Sequence, residues 1–321
     1  MPRMLPRVPR PPIVTLVAVV LLAACRGESE PPGIAAADGY TRAAVTGALK
    51  SPAIVEASGL AASGRTPGML WVVNDGGQPP VLHAVSETGE ELAAVRLDEA
   101  ENRDWEDLAG YTRDGRSWLL IADIGDNAGV RPHVTLYVLP EPAATDGGMV
   151  SPTRTIRYAY PDGPQDAEAV AVDARAGVVY VLTKRTEPPR LYAVPLHPPA
   201  DIDLVVADKI MDVASLPARD AAVGLLASAI PFHWQPTGMD FASDDSAVVV
   251  LTYADVYYYP RRPGESPADV LSRKPRALGM PLVPVAEGIA FDDAGQSIYV
   301  TAEGRHAPLL RFDPRPETAR D

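Results

Sequence analysis

Five times between Ser58 and Asp292 the sequence opens a short apolar stretch with a polar or acidic residue, turns, and returns in a more hydrophobic stretch. The openings read SGLAAS from Ser58, EDLAGY from Glu106, EAVAVD from Glu168, TGMDFA from Thr237 and EGIAFD from Glu287, spaced 48, 62, 69 and 50 residues apart. The returns are MLWVVND, WLLIAD, VVYVLTK, AVVVLTY and SIYVTAE. Gly, Asp and Ser fill the turns, as in Asp244-Asp245-Ser246 and Asp292-Asp293-Ala294-Gly295, which is hairpin chemistry.

A third strand recurs as VLHAVS, VTLYVLP, RLYAVPL, VYYYPR and LLRFDP, and a weaker fourth as ELAAVRL, TRTIRYAY and DKIMDVA. Four antiparallel strands in units of roughly 40–50 residues define a blade of a β-propeller. Unbroken Val, Ile and Leu in the second strand fits burial on both faces between neighbouring blades. No helical period of useful length competes. The chain is therefore expected to be all-β, a propeller of five four-stranded blades, with six blades as the alternative if Asp201 to Gln235 holds another. The last unit runs out of chain after three strands, so Thr46 to Val55 is expected to supply its fourth. That closure removes two exposed sheet edges at once.

Ahead of the repeats, Arg3, Arg7 and Arg10 precede an apolar run from Ile13 to Leu22, followed by Leu22-Ala23-Ala24-Cys25. The run is shorter than the ~20 residues a bilayer span needs, and small residues before a cysteine suit signal peptidase. The pattern resembles the lipobox of bacterial lipoproteins. It implies a signal peptide over residues 1–24, a lipid anchor on Cys25, and an extracytoplasmic domain over residues 40–321. Residues 25–39, rich in Glu, Pro, Gly and Ala, read as a flexible tether. Arg26 rather than Asp after the cysteine favours the outer membrane, periplasmic face, where a cell has two. Cys25 is the chain's one cysteine, so no intramolecular disulfide can form.

The chain carries 29 Lys and Arg against 42 Asp and Glu. Without the first 24 residues the count is 26 against 42, a net charge of −16. Such a domain repels phosphate backbones, so a nucleic-acid partner is not expected. The expected partners are the membrane, through the anchor, and a small-molecule ligand or protein; the domain is expected to be monomeric.

The motifs WVVNDGG, DWEDLA, IADIGDN with YVLPEP, DAEAVAVD, YVLTK and EGIAFDD resemble those of exported bacterial propellers. These are loosely related to the NHL, SdiA-regulated and phytase-like esterase propellers. The resemblance runs from about Glu56 to Arg311 and implies the fold. Relatives in the wider gluconolactonase and paraoxonase group hold calcium with carboxylates and Asn at the channel mouth, and the residue chemistry here approximates theirs.

Antiparallel pairing puts the start of each first strand beside the end of the second, on one face of the disc. Ser58, Glu106, Glu168, Thr237 and Glu287 then share a register around the channel. Glu56, Asp104, Asp166, Gln235 and Val285 lie two residues earlier. Asn74, Asp75, Asp123, Lys184, Tyr253 and Glu303 end the second strands, with Asp126 and Asn127 just beyond. Crowded carboxylates need a cation or raised pKa values, and Ca²⁺ takes 6–8 oxygen ligands. Glu106, Glu168, Glu287, Asp123 and Asp126 are the candidate metal ligands; Asp75, Lys184 and Glu303 are candidate ligand contacts. The opposing reading has each Glu bracing its own blade connection, with Lys184 neutralising Glu168.

No nucleophile motif stands out: there is no G-x-S-x-G or H-E-x-x-H, and His83, His133, His197, His233 and His306 are scattered. The function expected is a membrane-anchored propeller binding a ligand or partner at an acidic central funnel. The alternative is a Ca²⁺-dependent hydrolase of lactones, esters or phosphoesters working through the same funnel.

Overall fold

The computed structural model describes residues 39–315 apart from 145–146, 219–229, 231, 280, 282 and 284. The segment expected to be a signal peptide, Cys25 and nearly all of the expected tether lie outside the described residues, as does most of 218–230.

Five sheets stand in a ring. Blade 1 is β2 (Ala57–Ala62), β3 (Met69–Asn74), β4 (Val81–Ser86) and β5 (Glu91–Leu97). Blade 2 is β6 (Trp105–Arg113), β7 (Arg116–Asp123), β8 (Val134–Pro140) and β10 (Arg154–Ala159). Blade 3 is β11 (Ala167–Asp173), β12 (Val178–Thr183), β13 (Arg190–Pro195) and β15 (Asp208–Asp212). Blade 4 is β16 (Pro236–Phe241), β17 (Ala247–Thr252), β18 (Val256–Pro260) and β19 (Arg276–Gly279). Blade 5 is β20 (Ala286–Phe291), β21 (Ile298–Ala302) and β22 (Pro308–Phe312), completed by β1 (Ala44–Ala48) from the other end of the chain. The innermost strands β2, β6, β11, β16 and β20 pack side by side around the axis.

The second-strand runs are hydrophobic throughout because each serves two neighbours. In β17, Val248 and Val250 pack towards blade 3 while Ala247, Val249 and Leu251 pack towards blade 5. In β3, Trp71 and Val73 face blade 2, and Leu70 and Val72 face blade 5. The period-2 alternation of a strand thus feeds two cores at once, and the core is five slabs, one per blade interface. Asp107, fully buried, and Asp240, half-buried, pin those interfaces. Asp107 accepts from the Leu108 amide at 2.8 Å and the Val170 amide of the next blade at 2.7 Å. Asp240 does the same with Phe241 and Phe291, each at 2.8 Å.

Ring closure is as expected in kind and shifted in place. The closing strand is Ala44–Ala48, with Ala44 opposite Arg311 and Ala48 opposite Pro308, whereas most of Thr46 to Val55 is turn and connection. Gly47 permits it, because a Cβ there would overlap the Thr88 backbone of blade 1. Two features were not anticipated. β9 (Gly148–Val150) adds to β5 as a parallel fifth strand, and β14 (Val205–Val206) adds likewise to β10. The segment considered for a sixth blade is thereby spent, where described, on blades 2 and 3. Among the described residues the one helix is α1 (Pro267–Leu271), opened by a Ser266–Asp269 capping box.

Candidate functional site at the funnel end

Each innermost strand carries a β-bulge at its start. The register slips between Ala57 and Leu60, Trp105 and Asp107, Ala167 and Ala169, Pro236 and Gly238, and Ala286 and Gly288. A bulge takes one residue out of the ladder and re-aims it. The residues taken out are those that open the five repeats: Glu106, Glu168, Thr237 and Glu287, with Ser58 in the slightly wider slip of blade 1. Two are satisfied locally: the Ser58 hydroxyl donates to the Glu106 carbonyl at 2.5 Å, and Thr237 to the Ala286 carbonyl at 2.8 Å. The three glutamates are buried, each under 5 % exposed.

Their surroundings differ. On one side the Lys184 ammonium donates to Glu168 and lies 5.0 Å from the centre of the Tyr253 ring. Burial alone would depress the Lys184 pKa; Glu168, Glu287, Tyr253 and Glu106 together reverse that and hold the amine charged. Glu287 is pushed up by burial and by Glu168, with Lys184 opposing.

On the other side the carboxylates face one another. Asp75, Asp104 and Glu106 bring ligand atoms within 4.8 Å of one another, and so do Glu106, Asp166 and Glu168, so Glu106 belongs to both groups. Burial, then Glu168, Asp75 and Asp104, drive Glu106 well above the carboxylate range. Burial and Asp75 raise Asp104 to about 6. Burial raises Glu168 to about 8 despite Lys184. The Glu168 Oε2 and Glu287 Oε2 atoms are buried and have no hydrogen-bond partner, a costly state for a carboxylate oxygen. Glycines make the crowding possible: a Cβ on Gly125 would overlap the Glu106 and Asp104 carboxylates, and one on Gly76 would overlap Asp104.

Asp123 and Asp126, expected as metal ligands, are engaged otherwise. Asp123 receives Arg131 Nη2 at 2.7 Å and the amides of Arg103 and Asp104 at 3.3 Å. Asp126 accepts the Val130 and Arg131 amides at 2.9 and 2.7 Å. The Asp123–Asn127 loop is an Asx-type turn locked by Arg131. Glu303 lies near Glu287 and raises its pKa. Trp105 is core, its indole donating to the Glu101 carbonyl at 2.9 Å, while His133 and His306 are exposed.

Sequence reasoning placed Asp104 and Asp166 on the funnel wall without naming them as ligands. The signal was present: Asp-Trp-Glu and Asp-Ala-Glu repeat a carboxylate two residues before the bulge in blades 2 and 3. Arg185 was missed. It reaches back from the rim, its side chain 44 % exposed, to pair with Asp166 and to donate to Asn127.

Fold and site together describe a five-bladed β-propeller with a carboxylate-lined funnel. No family model matches the chain, and no curated protein matches it. Among solved structures it is similar to a Bacteroides uniformis protein described provisionally as a 6-phosphogluconolactonase, at 15 % identity and a TM-score of 0.39, covering 84 % of this chain and 71 % of that one. It is also similar to a luciferin-regenerating enzyme, at 10 % identity and TM-score 0.41, with 81 % and 92 % covered. A third likeness is to a nidogen/laminin complex, at 12 % identity and TM-score 0.40, with 77 % and 72 % covered. The fold assignment rests on this chain's own sheets.

Proposed function

We propose that this protein is a lipoprotein, anchored through Cys25 outside the cytoplasm, whose propeller binds its ligand through a hard divalent cation such as Ca²⁺ at the funnel. Asp75, Asp104 and Glu106 are the first ligands, and Asp166 and Glu168 extend the site inward. The observation that carries this reading is the double membership of Glu106, reinforced by the unpartnered Glu168 Oε2 beside it. All-oxygen, carboxylate-rich donors are what Ca²⁺ selects. Asp75 and Asp104 are half-buried, so the site is reachable from the mouth.

The binding reading is preferred to the hydrolytic one because Ser58 and Thr237, the hydroxyls in register with the glutamates, donate to backbone carbonyls rather than to a base.

Calorimetric titration of the metal-free protein with Ca²⁺ tests the proposal. Ligand at a hundredfold excess over Kd stabilises the fold by about 2.7 kcal/mol, so chelation should lower Tm and Glu106→Gln should abolish that response. A Tm indifferent to both Ca²⁺ and EDTA would sink it. Metal-dependent turnover of lactone or ester substrates, lost in Glu106→Gln, would move the conclusion to the hydrolase.

A further inference from the structure

The bulge that opens blade 2 gives Glu106 two sets of neighbours. On its outer side stand Asp104 and, just past the end of β3, Asp75; on its inner side stand Asp166 and Glu168, from the start of blade 3. Each set closes on Glu106 with its ligand atoms within 4.8 Å of one another, yet the two sets do not merge into a single group around it. Donors held about 2.4 Å from one Ca²⁺ lie at most about 5 Å apart. One ion therefore cannot collect all of these carboxylates, whereas two ions sharing Glu106 can.

The atoms are disposed for that sharing. A Cβ on Gly125 would overlap both Glu106 Oε1 and Asp104 Oδ2, so these two oxygens converge on one spot. The second Glu106 oxygen is left for the inner set. There Glu168 gives Oε1 to the Lys184 ammonium, while its Oε2 is buried and has no hydrogen-bond partner. An oxygen in that state lacks a positive partner, and leaving it so is costly. Asp166 accepts the Asp126 amide at 2.8 Å through Oδ1 and pairs with Arg185 through Oδ2. Each of those oxygens keeps a further lone pair, and the Arg185 side chain, 44 % exposed, holds on only by a screened surface pair. Lys184 and Arg185 do not saturate this wall. Between them they bring two positive charges to Glu106, Asp166, Glu168 and Glu287.

We propose that the funnel holds two divalent cations, the outer on Asp75, Asp104 and Glu106, the inner on Glu106, Asp166 and Glu168 Oε2, with the Glu106 carboxylate bridging them. The inference rests on the cation-binding reading above and adds a second ion to it. Asp75 and Asp104 are half-buried, whereas Asp166 and Glu168 are 7 % and 2 % exposed. The outer ion therefore meets the ligand, and the inner ion fixes the carboxylate on which the outer one sits.

Equilibrium dialysis of the metal-free full-length protein in detergent against radiolabelled Ca²⁺ counts the ions. Salt at about 0.15 M screens the exposed carboxylates of this acidic chain. Two ions per chain are expected at saturation. Asp75→Asn and Asp166→Asn should each leave one, and Glu106→Gln none, with circular dichroism of the chelated variants checking that each still folds. Arg185→Gln keeps every proposed ligand and should tighten the inner ion alone, by about threefold, so it reports on the second site even where a ligand variant fails to fold. One ion per chain in the unaltered protein would overturn the bridged pair and leave the single-cation reading standing; none would overturn both. Two ions unmoved by Asp166→Asn, or an Arg185→Gln that shifts neither affinity, would overturn the inner site.

Discussion

The two halves of the funnel start from the same repeated glutamate and arrive at opposite electrostatics. Around Glu168 and Glu287 the protein supplies its own cation, Lys184, with Tyr253 stacked beneath it. Around Glu106 it supplies more carboxylates, Asp75, Asp104 and Asp166. Equivalent backbone position therefore does not fix chemical role. The bulge aims the side chain, and what ends the neighbouring second strand decides whether it is neutralised or left to an outside ion.

Removing the internal cation should break that contrast most severely. Lys184→Met leaves Glu168 and Glu287 without counter-charge; losing one partner of a buried pair costs about 3–5 kcal/mol, or on the order of 10 °C in Tm for a domain of this size. Thermal melts check it, and added Ca²⁺ should now recover part of the loss.

A pH series sharpens the contrast. Asp104 and Asp240 are raised in the folded state, to about 6 and 7. A carboxyl raised on folding contributes stability that is present below its unfolded pKa near 4 and is lost as pH climbs through the folded value. Metal-free protein should therefore melt lower at pH 8 than at pH 5, by several degrees, on the order of 5 °C. Ca²⁺ affinity should rise over the same window, with protons released on binding. A melt that rises towards pH 8 without metal contradicts the raised values.

Gly125→Ala bears on the carboxylate-only half. The added methyl displaces Glu106 and Asp104, so Ca²⁺ affinity should fall by at least about tenfold, or 1.4 kcal/mol, by calorimetry. The Lys184 half should keep its response to Lys184→Met. The smallest effect belongs to Arg185→Gln. Its pair with Asp166 is partly exposed and screened, worth under about 1 kcal/mol. Freeing Asp166 should tighten Ca²⁺ only a few-fold.

Much of this was legible because a propeller repeats: equal register predicted that Glu106, Glu168 and Glu287 share one end of the disc. The Lys184–Glu168 pair was legible too, since second-strand ends lie beside first-strand starts. What escaped depended on side-chain reach and backbone approach. Arg131 lies eight residues beyond Asp123, and only the folded loop brings its guanidinium back onto that carboxylate. The loop spells oxygens in calcium-like order but spends them internally. The closing strand was misplaced because AVTGA has little strand character of its own; the open edge of Pro308–Phe312 recruits it. The bulges leave no mark in composition, although they are what turn the glutamates off the ladder.

Ring closure has a consequence for timing. Thr46 donates to the carbonyl of Leu309, a partner 263 residues downstream. Until that downstream stretch exists, β1 has no strand to pair with and the ring stays open. Contacts this distant in sequence are formed late and slowly. The native disc can therefore be completed only once both ends of the chain are free to meet.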